Sequence, residues 1–143
     1  HEFKYIYLSE EAFWNNFNKH QNFLKEITGK DCTIFRFPGG SHNTLVRNAH
    51  GSSFTENIIL KLNEQGINCY DWNVDSGDAK GNNIPATTIY NNVVKDSKDK
   101  DGHLKSPAIV LMHDCMTKTT TVEALPKIIE YFKEQGYKFD TLN

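Results

Sequence analysis

The sequence predicts an α/β fold built on parallel strands, and three observations carry that expectation. Segments rich in β-branched and aromatic residues alternate with amphipathic segments long enough for helices, which implies right-handed crossovers between parallel strands. The most continuous apolar run, PAIVLM at 107–112, reads as a strand buried on both faces. The chain of 143 residues also opens on a helix with no strand ahead of it, so it reads as the later part of a larger α/β domain whose upstream strands are missing.

Each element follows from local pattern. Ser9, then Glu10 and Glu11, opens a helix whose face is Phe13, Phe17, His20, Leu24 and Ile27, and Gly29 stands where a C-cap belongs. TIFRF (33–37) is β-branched and aromatic and reads as a strand. Ser53 with Glu56 three residues on has the form of a capping box, and Phe54, Ile58, Ile59 and Leu62 continue that helix towards Gly66. INCYDW (67–72) is the next strand. Pro85 starts a helix carrying Ile89, Val93 and Val94, and PAIVLM follows. Thr121 begins a last helix through Ile128, Ile129 and Phe132 to Gly136, with Pro126 an early irregularity, and YKF (137–139) is a final short strand. No linker, repeat or low-complexity tract divides residues 1–143, so they read as one domain. The charge run KDSKDKDGHLK (95–105) is a solvated loop that takes His103 with it.

Composition excludes several classes. A formal charge of −2 with no basic stripe argues against nucleic acid. No apolar run approaches the roughly 20 residues a membrane-spanning helix needs. Cys32, Cys69 and Cys115 are too widely spaced for a CxxC metal site, and Cys69 reads as a small hydrophobe in a strand. The basic residues are lopsided, 14 lysines against Arg36 and Arg47. Only arginine offers a rigid planar fork that grips a carboxylate. That gives Arg36, inside FRFPGG, a motive.

Functional groups in parallel α/β folds gather at the carboxyl ends of strands. Three such ends carry suitable chemistry: Arg36 with the turn Pro38-Gly39-Gly40, then Trp72 with Asp75 and Asp78 in NVDSGDA, then Leu111, Met112, His113 and Asp114. Two readings stand side by side, a shared catalytic rim or separate polar residues at strand ends. His113, at the edge of an apolar run, is either a proton donor tuned by Asp75 or Asp78, or a satisfied structural histidine. DSGD is equally a tight turn, and Pro-Gly is ordinary turn punctuation. Cys115 is a poor nucleophile candidate, since neighbouring strand positions point apart. His20 is expected on the inner side of its helix, and His42 and His50 in the loop SHNTLVRNAHG (41–51), facing solvent rather than touching substrate.

FRFPGG (35–40), WNVDSGDA (72–79) and IVLMHD (109–114), in this order, resemble the later motifs of the polysaccharide deacetylase family (NodB-like, including peptidoglycan N-acetylglucosamine and chitin deacetylases). The resemblance covers essentially the whole chain. It implies the C-terminal part of a distorted, incomplete (β/α) barrel and one divalent metal, zinc. It also implies hydrolysis of N-acetyl groups from amino-sugar polysaccharide, with metal-activated water as nucleophile. By the resemblance, Arg36 pairs with a catalytic-base aspartate lying upstream, and Gly39 supplies an oxyanion N–H. Asp78 tunes His113, the general acid; Leu111 lines the acetyl-methyl pocket, and His1 is a metal ligand. Apart from the resemblance, Trp72 would suit stacking on a sugar, or is simply a core aromatic. Where family members commonly have tryptophan after the motif aspartate, this chain has Ala79. The base aspartate and the other metal ligands would lie ahead of His1, so the chain alone is expected to be inactive and poorly stable, lacking the N-terminal part of its own domain. The implied partner is an N-acetylated wall glycan, and the implied location is secreted or at a bacterial cell surface. Two alternatives remain: an inactive carbohydrate-binding or structural wall protein, and a deacetylase for another acetylated glycan.

Overall fold

The computed structural model describes residues 3–142, in two compact units: residues through Asp71, with Leu142, and Trp72–Thr141. The first contains helices α1 (Phe3–Ile6), α2 (Glu10–Thr28), α3 (Thr44–His50) and α4 (Ser53–Glu64), with strands β1 (Ile34–Phe35) and β2 (Asn68–Cys69). The second contains β3 (Val74–Asp75), a 3-10 turn (Asp78–Lys80), α5 (Ala86–Asp96), β4 (Val110–Leu111) and α6 (Thr119–Glu134).

Both strand pairs are parallel, as expected. In the first unit Ile34 lies opposite Asn68 and Phe35 opposite Cys69. In the second Val74 lies opposite Val110 and Asp75 opposite Leu111. The paired segments are two residues long, much shorter than the apolar runs that announced them.

In the first unit the α2 signals act as read. The Ser9 hydroxyl accepts the Ala12 N–H at 3.1 Å, and Gly29, at φ 71°, donates its N–H to the Lys25 carbonyl. Phe13 and Phe17 are buried from α2 and meet Phe35 and Phe37 in a cluster with ring centroids 5.1–6.1 Å apart. Ile58 and Leu62 of α4 complete that core. In the second unit Val74, Ile89, Val93, Ala124, Ile128 and Phe132 form the core, so α5 and α6 cover β3.

Several expectations are corrected. His20 is exposed, not inward: the buried residues of α2 are Phe13 and Phe17, in its first half. Ser53 is the first residue of α4 rather than its cap, and Ser52 makes no side-chain capping bond, so no capping box forms. SHNTLVRNAHG contains α3, whose start Asn43 caps by accepting the N–H groups of Leu45 and Val46. His42 and His50 are exposed, as expected, and His50 in addition places Nε2 2.6 Å from the Tyr7 carbonyl and stacks on Phe54. Within PAIVLM only Leu111 is buried. YKF is not a strand: Tyr137 folds back to pack on Phe132, and its hydroxyl bonds the Lys105 carbonyl.

Gly77 joins β3 to the 3-10 turn at φ 70°, and a β-carbon there would lie 2.7 Å from Nδ2 of Asn92, which donates to the Ser76 carbonyl at 2.9 Å. Gly77→Ala therefore combines backbone strain with a clash and should cost about 1–3 kcal/mol in denaturant melts. An unchanged midpoint would show that this turn relaxes freely.

Candidate active site

The second unit assembles its site from two strand ends. Beyond β3 the chain turns at Gly77 and buries Asp78, 1% exposed, while two residues past β4 stands His113. Asp78 Oδ1 lies 2.7 Å from His113 Nδ1. Oδ2 accepts the His113 backbone N–H at 2.8 Å and the Thr121 hydroxyl at 3.0 Å. Parallel pairing of β3 with β4 sets both residues at the same carboxyl end, with the Ser76 N–H on the Leu111 carbonyl at 3.3 Å extending the ladder.

Burial works against the charge of Asp78, but the donors from His113 and Thr121 outweigh it and hold the carboxyl below its ordinary value. An ionised carboxylate only accepts, so Nδ1 of His113 carries the proton and Nε2, on the far edge of the ring, is left for chemistry. The His113 side chain is 38% exposed, so the ring is held from inside and reachable from outside. This is the geometry of a proton-transfer group.

Asp75 spends Oδ1 on the Gly77 N–H at 2.8 Å, a turn role, and Asp78 takes the histidine. Leu111 is buried at the end of β4, and Trp72 is half-buried at the start of the same unit. Ala79 is exposed on the 3-10 turn.

The first unit holds the PGG turn. Arg36 is exposed between half-buried Phe35 and buried Phe37, as strand alternation requires. Gly39 and Gly40 both have positive φ, at 78° and 85°, a conformation glycine adopts without strain. Sequence reasoning missed what holds this turn. Asp71, just past β2, accepts the Ser41 N–H at 3.1 Å and the Ser41 hydroxyl, and the Tyr7 hydroxyl donates to the Pro38 carbonyl at 2.9 Å. Burial and the Asp71 charge push the Tyr7 phenol well above its usual range. Asp71 was legible only as one letter of the strand INCYDW. Lys118 and Thr121, which grip Asp78, were likewise hidden in a helix start.

His1 lies outside the described residues. Among those described, one group of three potential metal ligands comes together, Asp99, Asp101 and His103, with ligand atoms within 4.8 Å of one another. All three are exposed on the loop after α5, as expected of His103. No described helix is long and apolar enough to cross a membrane.

Comparison with known proteins agrees with the motifs. The polysaccharide deacetylase family model matches residues 4–67. A peptidoglycan-N-acetylglucosamine deacetylase of Bacillus cereus is 30% identical over 144 residues, 98% of this chain and 46% of the relative. The solved catalytic domain of a peptidoglycan N-acetylglucosamine deacetylase from Eubacterium rectale superposes with a TM-score of 0.81 at 31% identity, covering 99% of this chain and 61% of that one. A CE4 esterase from Streptococcus mutans gives 0.80 at 28% identity, covering 99% and 59%. The chain thus spans under half the length of the curated relative and about three-fifths of the solved chains.

Two predictions follow from the electrostatics. Since the folded-state value of Asp78 lies below the unfolded one, its stabilisation is complete above the ordinary carboxylate range of about 4 and is lost as pH falls through the depressed value. Asp78→Asn should lower stability at neutral pH by about 2–4 kcal/mol and flatten the acid limb of a stability–pH curve. An acid limb as steep as the unmodified chain's would place that titration elsewhere. Among the thiols, burial and Asp71 push Cys69 up to about 11. Cys115, exposed, sits below its ordinary value through the Thr117 hydroxyl 3.4 Å away. Iodoacetamide near pH 8 should therefore modify Cys115 on the order of a hundredfold faster than Cys69 in peptide mass maps. Equal rates would contradict this ordering.

Proposed function

Because the chain belongs to the polysaccharide deacetylase family, we propose that the protein containing it hydrolyses N-acetyl groups of amino-sugar polysaccharide, above all peptidoglycan N-acetylglucosamine. The observation that carries this reading is the Asp78–His113 pair: a buried carboxylate fixing the ring of a partly exposed histidine at a strand end. An amide is cleaved only if its nitrogen leaves as a neutral amine, so the reaction needs a positioned proton donor. His113 delivers that proton from Nε2, and Asp78 stabilises the imidazolium and holds the ring in place.

The proposal gives the remaining residues the roles that the resemblance implies. The Gly39 N–H donates to the oxyanion, Arg36 restrains an aspartate base and Leu111 meets the acetyl methyl; Trp72, as an aromatic suited to stacking, meets a sugar face. One divalent metal, zinc, belongs to the proposal with His1 as a ligand; when bound it would acidify a water and polarise the acetyl carbonyl. The exposed Asp99, Asp101 and His103 do not fit that role: a catalytic zinc takes an enclosed site with an open coordination position, and these three lie open on a surface loop. Acting on wall glycan would place the protein outside a bacterial cell or on its surface. The likeness to a CE4 esterase favours a second substrate, an acetate ester on another glycan, whose alkoxide needs the same proton.

Acetate release from N-acetylglucosamine oligomers by the full-length, zinc-reconstituted protein tests the reading. His113→Ala should lower kcat by about a hundredfold or more. Acetate undiminished in that variant would remove His113 as the acid. No acetate from folded, metal-loaded protein would leave either the ester, read by release from acetylated xylan, or a binding role.

A further inference from the structure

Lysine is almost never buried without partners, yet Lys118 is only 9% exposed. Its ammonium donates to the Asp78 carbonyl at 2.6 Å and to the Gly81 carbonyl at 2.7 Å, spanning the 3-10 turn on which Asp78 stands. A cation suits that end of the turn, where unpaired carbonyls collect. Three residues on, in the first turn of α6, buried Thr121 donates its hydroxyl to Asp78 Oδ2 at 3.0 Å. One short segment therefore holds the backbone of Asp78 and its carboxylate at once.

The segment is also tied to the histidine. The Lys118 N–H bonds the Cys115 carbonyl at 2.9 Å, closing the turn that leads on from His113, and the Thr121 N–H bonds the Lys118 carbonyl at 3.0 Å. From His113 the chain thus runs through this turn to Lys118, from Lys118 to the Asp78 turn, and from the Asp78 carboxylate back to the His113 ring. A carboxyl group rotates easily about its last bond. With Oδ2 occupied by Thr121 and the His113 N–H, the rotation is stopped where Oδ1 meets Nδ1.

We propose that Lys118 and Thr121 are positioning residues for the Asp78–His113 pair, fixing the aspartate so that the ring presents Nε2 in one orientation. The inference rests on the deacetylase reading for its effect on rate, and on the geometry alone for its effect on the ring.

Two measurements on the full-length, zinc-loaded protein test it, with Thr121→Val, Thr121→Ser and Lys118→Met. In acetate release from N-acetylglucosamine oligomers, Thr121→Val and Lys118→Met should lower kcat about tenfold with KM within about twofold, and Thr121→Ser should recover most of the loss. In proton NMR with labelled histidine, the His113 Nδ1–H should be a slowly exchanging low-field resonance in the parent and in Thr121→Ser. It should be lost to solvent exchange in Thr121→Val. Should Lys118→Met fail to fold, the two threonine variants decide, since valine keeps the shape and removes only the hydroxyl. Parental kcat in folded Thr121→Val, or equal loss in the serine and valine variants, overturns the proposal. A parent that releases no acetate sinks the deacetylase reading instead, and the resonance then decides the positioning role by itself.

Discussion

The second unit is organised around one buried charge. A carboxylate taken out of water costs several kcal/mol unless donors replace its hydration, and Asp78 finds them at the His113 ring, the His113 backbone and the Thr121 hydroxyl. Those donors belong to the end of β4 and the start of α6, so satisfying one side chain fixes two elements relative to the turn after β3. The β3–β4 register, the left-handed glycine at 77 and the buried Lys118 all serve that placement. A one-residue slip of the pairing would move the His113 ring to the other side of the strand and leave the charge unanswered.

The first unit repeats the device with different chemistry. Asp71, past the end of β2, accepts the backbone N–H and the hydroxyl of Ser41, the residue after the PGG turn. Asp78, past the end of β3, accepts the backbone N–H and the ring nitrogen of His113. In each case one carboxylate grips a single residue at two points, backbone and side chain, and so sets both the path of the loop and the direction of the group on it. Where that group is a serine, the result is a braced turn, with Tyr7 bonding Pro38 as a second stay. Where it is a histidine, the result is an oriented ring, on which the proposed proton donor rests.

Much of this was legible where the signal is local. The α2 helix announces itself by a cap, a stripe and a terminal glycine, and the cap, the glycine and the first half of the stripe behave as read. Parallel pairing followed from alternation alone. What escaped depends on tertiary partners. Apolar runs of five or six residues gave strands of two, because β-branched and aromatic composition reports burial and not the reach of a ladder. The helix α3 buries only Val46, too little to show a period. Two aspartates in DSGD were indistinguishable by spacing, and only the left-handed turn at Gly77 sends one into the core while the other closes the turn. Lys118 and Thr121 looked like a helix start because that is also what they are.

The division of labour between the two oxygens of Asp78 explains why such a pair tolerates a half-exposed histidine. Oδ2 takes two donors outside the imidazole ring, a peptide N–H and a hydroxyl. Oδ1 takes the ring nitrogen whose partner atom, Nε2, is the one the proposed reaction would use. Since the peptide N–H on Oδ2 belongs to the same residue as the ring, movement of the loop carries anchor and ring together, and the distance between Oδ1 and Nδ1 need not reopen. A histidine tethered by its ring alone would trade that contact for water whenever the loop moved. Anchoring the residue at both its backbone and its ring keeps the imidazole oriented without burying it, which is what the proposed role, meeting both a carboxylate and a large external substrate, would require.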